Sequence, residues 1–156
     1  MEIISKSANA TKNIGRLIAK NLKTSDIVCL FGELGSGKTV LAKGIAKGLN
    51  IEEAKVISPT FVLIREHNKG RLPLYHFDLY RLKNPCEISA LGYEEYLYGD
   101  GVSVIEWADR LRSLLPKDFL KIELLFKPHS QRIIKISAFG KRYKELLRKI
   151  NEDISH

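Results

Sequence analysis

The sequence is poor in the residues that would indicate a secreted, disulfide-bonded or metal-clustered protein. It has only two cysteines, Cys29 and Cys86, which give neither a disulfide framework nor zinc-ligand spacing. Its four histidines are scattered, without the spacing of metal ligands. No apolar run approaches the roughly 20 residues that span a bilayer, and the first residues lack the apolar segment of a signal peptide. These absences predict a cytoplasmic protein with no membrane partner.

Acidic residues are also in the minority, with 18 Asp and Glu against 26 Lys and Arg and a formal net charge of +8. Such a charge can steer a protein towards nucleic acid or an acidic partner. Basic residues are equally common on solvated surfaces, and no aromatic-basic RNA-binding motif is present, so direct RNA binding is not the favoured main function. The length of 156 residues and a hydrophobic content of 44% predict one globular domain over residues 1–156.

The most informative stretch is Gly-Glu-Leu-Gly-Ser-Gly-Lys-Thr at residues 32–39, which matches the phosphate-binding pattern G-x-x-x-x-G-K-[ST]. The pattern is meaningful only between a strand and a helix. Here the β-rich apolar run 27–31 precedes it, and Leu41, Ile45 and Leu49 follow at helical spacing. Backbone N–H groups of such a loop surround a phosphate at the N-terminus of the following helix.

In this loop Lys38 would supply a positive charge to the β- and γ-phosphates, and the hydroxyl of Thr39 would be a ligand for Mg²⁺. We expect nucleotide contacts along the loop and the first helical turn, at Glu33, Leu34, Gly35, Ser36, Gly37, Lys38, Thr39 and Val40. The alternative, a glycine-rich turn that binds nothing, is disfavoured by the strand and the helix on either side of the motif.

Hydrophobic periodicity predicts the remaining elements. They are a helix over residues 8–23, a short strand at 55–57, a hairpin of strands 61–67 and 72–80, a helix at 86–91, a strand at 102–105, a short helix at 109–115, a hairpin of strands 119–127 and 131–139, and a helix at 141–151. This order predicts an α/β fold: a single P-loop NTPase-like domain whose mixed sheet has a parallel core, added antiparallel hairpins and flanking helices.

A phosphate-binding loop needs a partner acid for its metal, which in P-loop proteins lies at the end of a neighbouring apolar strand. Glu106, after the run 102–105, and Asp78, after the run 74–77, both meet this description. The cleaner buried-strand pattern favours Glu106 as the metal-side acid. Asp78 is then a candidate to orient the attacking water or to support the metal shell. The alternative for either residue is a strand-end carboxylate in a surface salt bridge.

Two further residues are candidates for contact with the nucleotide. Thr60 lies in a Ser-Pro-Thr turn and would meet Mg²⁺ or the γ-phosphate as part of a switch segment, unless it is an ordinary threonine of a proline turn. Trp107, the only tryptophan, follows Glu106 and either packs in the core or forms a wall near the nucleotide. The guanine-readout pattern Asn-Lys-x-Asp fails at residues 68–71, where Arg71 stands in place of the acid, so ATP is favoured.

These motifs together resemble one protein family. The loop at residues 32–39, Ser-Pro-Thr-Phe at 58–61, Tyr-His-Phe-Asp-Leu-Tyr-Arg-Leu at 75–82 and Val-Ile-Glu-Trp at 104–107 occur in this order in the TsaE (YjeE) family. The loop alone is generic, whereas its combination with the other three motifs is highly specific. Members of the family are small bacterial ATPases required for the formation of threonylcarbamoyladenosine in tRNA.

The resemblance implies that the protein binds ATP with Mg²⁺, hydrolyses it weakly alone and works with the TsaB and TsaD proteins. These partners transfer a threonylcarbamoyl group to tRNA, so tRNA would be reached indirectly through the complex. The metal-side residues of the family correspond to Thr39 and Glu106. The other motif positions correspond to Lys38, Thr60, Asp78 and Trp107. Weaker correspondences place further nucleotide contacts at Arg132 and, for adenine, at the start of the first helix, near Ala8 to Thr11.

The implied reaction is transfer of a phosphoryl group to water, with Lys38, backbone amides and Mg²⁺ stabilising charge on the phosphates. No arginine finger is assigned, although Arg65 and Arg81 are candidates within the chain. Two alternatives stay open at this point. One is a non-hydrolytic nucleotide-dependent assembly switch, and the other is a P-loop small-molecule kinase, which would need a second substrate pocket that the sequence does not indicate.

Overall fold

A seven-stranded mixed sheet forms the centre of the molecule, which a computed structural model describes over residues 1–57 and 63–156. The strands are β1 (Glu2–Ser5), β2 (Ile27–Phe31), β3 (Ile64–His67), β4 (Leu74–Asp78), β5 (Val102–Glu106), β6 (Phe119–Lys127) and β7 (Gln131–Phe139). Their order across the sheet is β1-β7-β6-β2-β5-β4-β3. Strands β6, β2, β5 and β4 run parallel to their neighbours within this group, and the other pairings are antiparallel. The predicted fold class is confirmed.

Helices flank the sheet, and their ends follow local capping signals. They are α1 (Ala8–Lys20), α2 (Lys38–Gly48), α3 (Pro85–Ser89), α4 (Tyr93–Leu97) and α5 (Lys141–Ser155), with 3-10 turns at Glu53–Lys55 and Ala108–Leu114. Helix α1 begins after Ser7, whose hydroxyl accepts a hydrogen bond from the Ala10 N–H at 3.0 Å. Asn84 caps α3 in the same way. In the described part of the chain no helix has the length and apolar character needed to cross a membrane.

The parallel core brings the carboxyl ends of β2, β4 and β5 together at one end of the sheet. Strands β2 and β5 are almost entirely buried, as expected for strands covered on both faces. In the parallel register Leu30 of β2 pairs with Glu106 of β5, and Glu106 pairs in turn with Asp78 of β4. The loop that leaves β2 therefore emerges beside the carboxyl ends of β4 and β5, where ligands bind in open α/β sheets.

Glycines let helices α1 and α2 pack closely together. A Cβ atom on Gly44 of α2 would lie 2.2 Å from the carbonyl oxygen of Lys12 in α1, and one on Gly15 of α1 would lie 2.5 Å from the carbonyl oxygen of Leu41. In both places the nearest atoms belong to the backbone of the other helix, which cannot move aside as a flexible side chain could. The phosphate-loop helix is consequently held against α1 at a distance that only glycine permits.

The structure also corrects the sequence prediction at several elements. Residues 55–57 were predicted as a strand, but a 3-10 turn at Glu53–Lys55 leads into this stretch, and Val56 is buried without entering the sheet. Helix α1 ends at Lys20 rather than at residue 23. Strand β1 and helix α4 were not predicted. The hairpin of β3 and β4 is confirmed, although the first two residues of its predicted strand 61–67 lie outside the described part of the chain.

We expect Gly44→Ala to lower the free energy of unfolding. Alanine usually gains about 1 kcal/mol over glycine within a helix, but a methyl group 2.2 Å from the Lys12 carbonyl oxygen forces the two helices apart. Overpacking of this kind costs about 1–3 kcal/mol, so the net change is destabilising. Urea denaturation measures it, with the exposed Lys47→Ala in the same helix as the control. A Gly44→Ala protein as stable as the wild type would refute the tight α1–α2 contact.

Candidate active site

The loop between β2 and α2 has the conformation that its glycines allow. Gly32, Gly35 and Gly37 have φ values of 149°, 77° and 106°. Gly37 immediately precedes the first residue of α2, and a Cβ atom there would lie 2.9 Å from Nε of Arg132. Because the first N–H groups of a helix have no intrahelical acceptor, the start of α2 offers donors and the positive end of the helix dipole to an anion.

The side chain of Lys38 is folded back onto this loop. It is only 5% exposed, and its Nζ donates hydrogen bonds to the carbonyl oxygens of Gly32 at 2.5 Å and Glu33 at 2.8 Å. The ammonium also lies 4.0 Å from the centroid of the Trp107 ring. Burial lowers the pKa of Lys38, and the nearby carboxylates of Glu106 and other acids oppose this shift. The loop thus holds a partly desolvated cation.

Glu106 connects the start of α2 with the sheet. It is 2% exposed, and its Oε1 accepts a hydrogen bond from the Thr39 hydroxyl at 2.7 Å. Its Oε2 lies 2.5 Å from Nε2 of His76, a fully buried residue of β4. Each carboxylate oxygen therefore has its own partner, and the acid stands beside the hydroxyl that the sequence predicts as a metal ligand.

Asp78 lies next to Glu106 at the same edge of the sheet. The two residues are register partners in β4 and β5, and Oδ1 of Asp78 accepts a hydrogen bond from the Tyr80 N–H at 3.0 Å. Both carboxylates border the same cavity as Lys38 and Thr39. The structure thus brings together the two acids that the sequence identified, Glu106 as the favoured metal-side acid and Asp78 as the second candidate.

A cavity of about 380 Å³ lies over the loop and the two acids. The predicted residues that border it are Leu34, Gly35, Gly37, Lys38, Thr39, Val40, Asp78, Glu106, Trp107 and Arg132. Nε of Arg132 donates to the carbonyl oxygen of Ser36 at 2.9 Å, which ties β7 to the loop. Trp107 forms a wall, has a left-handed φ of 58° and lies 5.0 Å from the Tyr80 ring. Such a backbone conformation is uncommon for a bulky residue and is frequent at functional sites.

Three of the predicted residues that the structure describes are not among those that border this cavity. Glu33 borders a neighbouring cavity, and Ser36 is a buried residue of the loop whose Oγ accepts a long hydrogen bond from Lys38. Thr11 is buried in α1, with its hydroxyl bonded to Ser5 at 2.7 Å. Thr60 lies outside the described residues. The contacts predicted for these residues remain predictions.

Sequence reasoning missed some residues that the structure places at the site. Tyr80 and Leu63 border the cavity, and His76 contacts Glu106 from β4. Of the two arginines considered as arginine fingers, Arg81 borders the cavity, whereas Arg65 lies on β3 and does not. The alternation of β4 placed His76 on the same face as Asp78, and this was the signal that could have identified it.

The fold and the loop define an α/β protein of the P-loop NTPase-like class. The sequence model of the family described as "Threonylcarbamoyl adenosine biosynthesis protein TsaE" matches residues 5–134. The chain therefore belongs to the TsaE family.

Similar proteins and a solved structure agree with this assignment. A Bacillus subtilis protein named tRNA threonylcarbamoyladenosine biosynthesis protein TsaE is 42% identical over 141 residues, which are 90% of this chain and 87% of that protein. Its namesake in Treponema pallidum is 42% identical over 80% of this chain and 90% of its own. The crystal structure of Bacillus subtilis YdiB superposes with a TM-score of 0.86 at 35% identity, covering 97% of this chain and 94% of that one.

We expect the difference in stability between wild type and Lys38→Met to depend on pH. Because the pKa of Lys38 is lower in the fold than its ordinary value of 10.5, the unfolded chain binds more protons between the two values. The contribution of Lys38 to stability therefore rises as pH increases from the folded pKa towards 10.5. Urea denaturation of both proteins at several alkaline pH values measures the change. A difference that stays constant or falls would contradict the burial of this ammonium.

Proposed function

We propose that this protein binds ATP with Mg²⁺ and hydrolyses it as a component of the tRNA threonylcarbamoyladenosine machinery, together with TsaB and TsaD. The observation that carries the enzymatic part is the 2.7 Å hydrogen bond between Thr39 and Glu106 at the start of α2. It joins the loop hydroxyl and the strand-end acid that hold the metal in P-loop NTPases. The names of the similar proteins support the tRNA modification part.

The donor atoms at this edge of the sheet fit Mg²⁺. The Thr39 hydroxyl and the carboxylates of Glu106 and Asp78 are hard oxygen ligands. Within the described ranges 1–57 and 63–156, no group of three or more His, Cys, Asp or Glu residues could enclose a metal. Mg²⁺ does not need such an enclosure, since it usually combines one or two protein ligands with phosphates and waters. Bound here, it would neutralise charge that develops on the phosphates.

Lys38 and the loop would bind the phosphates. The ammonium now contacts two carbonyl oxygens of its own loop, and phosphate oxygens would replace these neutral acceptors with charged ones. A charge-assisted hydrogen bond is roughly twice as strong as a neutral one, so the exchange favours the nucleotide. The N–H groups at the start of α2 would add further donors.

Asp78 and Trp107 border the remaining part of the cavity. With Glu106 beside Thr39, the neighbouring carboxylate of Asp78 would orient a water molecule or bind a water ligand of the metal. Trp107 covers Lys38 and would exclude solvent from the phosphates, which strengthens electrostatic interactions in the site. Thr60 keeps its proposed role at the γ-phosphate.

We expect Glu106→Gln to weaken the binding of Mg²⁺ without unfolding the protein. Glutamine retains the size of the side chain and one acceptor for the Thr39 hydroxyl, but it removes the charge that attracts Mg²⁺. The affinity for ATP without Mg²⁺ should be preserved. The apparent affinity for Mg²⁺ in the presence of ATP should fall at least about 10-fold. Calorimetric titration of ATP at several Mg²⁺ concentrations measures both. If the Mg²⁺ requirement is unchanged in Glu106→Gln and lost in Asp78→Asn, the metal-side acid is Asp78.

We expect phosphate release from ATP to be slow for the protein alone and faster when TsaB and TsaD are added. Lys38→Ala removes the charge at the phosphates and should abolish release under both conditions. Binding of Mg²⁺ and ATP without release in any mixture would favour the non-hydrolytic assembly switch. Wild-type turnover in Lys38→Ala would refute the assignment of the phosphate-binding loop.

A further inference from the structure

His76 is a fully buried histidine whose Nε2 contacts Glu106, a residue of the proposed metal site. Its side chain has no exposed surface, and its Nε2 lies 2.5 Å from Oε2 of Glu106. Because an ionised carboxylate can only accept, the ring must donate from Nε2. Among the described residues the other ring nitrogen, Nδ1, has no hydrogen-bond partner. The orientation of the ring is therefore set by Glu106.

Stability alone does not account for a histidine at this position. An unpaired buried polar atom costs about 1–3 kcal/mol, and Nδ1 is such an atom within the described structure. Buried apolar side chains fill neighbouring positions of β4, at Leu74 and Phe77. An apolar residue at position 76 would avoid the cost of Nδ1 but would leave Oε2 of Glu106 without a donor. The hydrogen bond to Glu106, rather than packing in the core, therefore accounts for a histidine at position 76.

The two partners of Glu106 differ in how firmly they are held. Thr39 lies at the first turn of α2 and is partly exposed to the cavity, so its hydroxyl is available to a ligand. His76 lies within the sheet, between β3 and β5, and is closed off from solvent. When the Thr39 hydroxyl turns towards a ligand, the bond from His76 is the contact that keeps Oε2 in place and Oε1 directed at the cavity.

We propose that His76 is a positioning residue, which donates from Nε2 to Glu106 and fixes the carboxylate for Mg²⁺. The inference rests on the proposed function, because it assigns His76 a role in the same metal site. Partners that orient metal ligands in this way typically account for about 10–100-fold in metal affinity or activity. His76 itself touches neither substrate nor metal in this scheme.

Three substitutions at position 76 test the proposal. The amide nitrogen of glutamine reaches roughly as far as Nε2 of histidine, that of asparagine only as far as Nδ1, and leucine donates nothing. We expect His76→Gln to keep an apparent Mg²⁺ affinity close to that of the wild type, and His76→Asn and His76→Leu to lose about 10–100-fold. ATP binding without Mg²⁺ should be the same in all. His67→Leu, on the adjacent strand β3, is the matched control.

Calorimetric titration of Mg²⁺ in the presence of ATP gives these affinities without relying on turnover, and urea denaturation shows which variants are folded. If His76→Leu does not fold, the difference in Mg²⁺ affinity between His76→Gln and His76→Asn tests the proposal. Equal Mg²⁺ affinity in the folded Gln and Asn variants, or a wild-type value in Leu, would overturn the role of His76 and leave the proposed function intact. A wild-type protein whose ATP binding is insensitive to Mg²⁺ would instead overturn the metal site itself.

A spectroscopic readout on the nucleotide-free protein is independent of both ligands. Nitrogen-15 NMR of the histidine rings reports which nitrogen carries the proton. We expect a protonated Nε2 for His76 that exchanges slowly with solvent, because the ring is fully buried. Glu106→Ala should abolish this slow exchange, since it removes the acceptor. A rapidly exchanging Nε2 proton in the wild type would overturn the proposed hydrogen bond.

Discussion

The burial of the Glu106 carboxylate is the constraint on which the site depends. A buried carboxylate is costly unless its oxygens accept hydrogen bonds, and Glu106 obtains these from two directions, Thr39 of α2 and His76 of β4. Both contacts require β5 to lie between β2 and β4 in the parallel register. The order of the strands and the position of the first turn of α2 consequently bring both donors to the group that is proposed to bind Mg²⁺.

Lys38 differs from Glu106, because burial in the folded protein disfavours its charge. Burial removes its ammonium from solvent and lowers its pKa, and its hydrogen bonds go to the neutral carbonyl oxygens of Gly32 and Glu33. A phosphate group would be a better partner than these acceptors. The loop therefore keeps a cation in an environment that favours its charge less than water does, and a bound phosphate would relieve this cost. The tight contact between α1 and α2 helps to hold α2, the helix that follows the loop, in place.

Local signals allowed much of this arrangement to be predicted from the sequence. The loop at residues 32–39, the acid Glu106 and the hairpin of β6 and β7 follow from spacing and hydrophobic pattern within a few residues. Strand β1 was missed because it has four residues and is held by non-local pairing with β7. Helix α4 has five residues, too few for a periodic pattern. The alternation of β4 indicates that His76 shares a face with Asp78, but its contact with Glu106 joins residues 30 positions apart and depends on strand register, which no local pattern encodes.

The cavity has two walls of different construction, and this limits how partners could control it. The inner wall consists of Thr39, Glu106 and the loop, which are anchored in the buried parallel core. The outer wall is formed largely by Trp107, Tyr80 and Arg81, which follow the ends of β5 and β4. The rings of Trp107 and Tyr80 lie 5.0 Å apart. A closely packed core has discrete arrangements and resists small displacements. If TsaB and TsaD accelerate hydrolysis, the change should therefore arise at the outer wall, while the metal-side residues keep their positions.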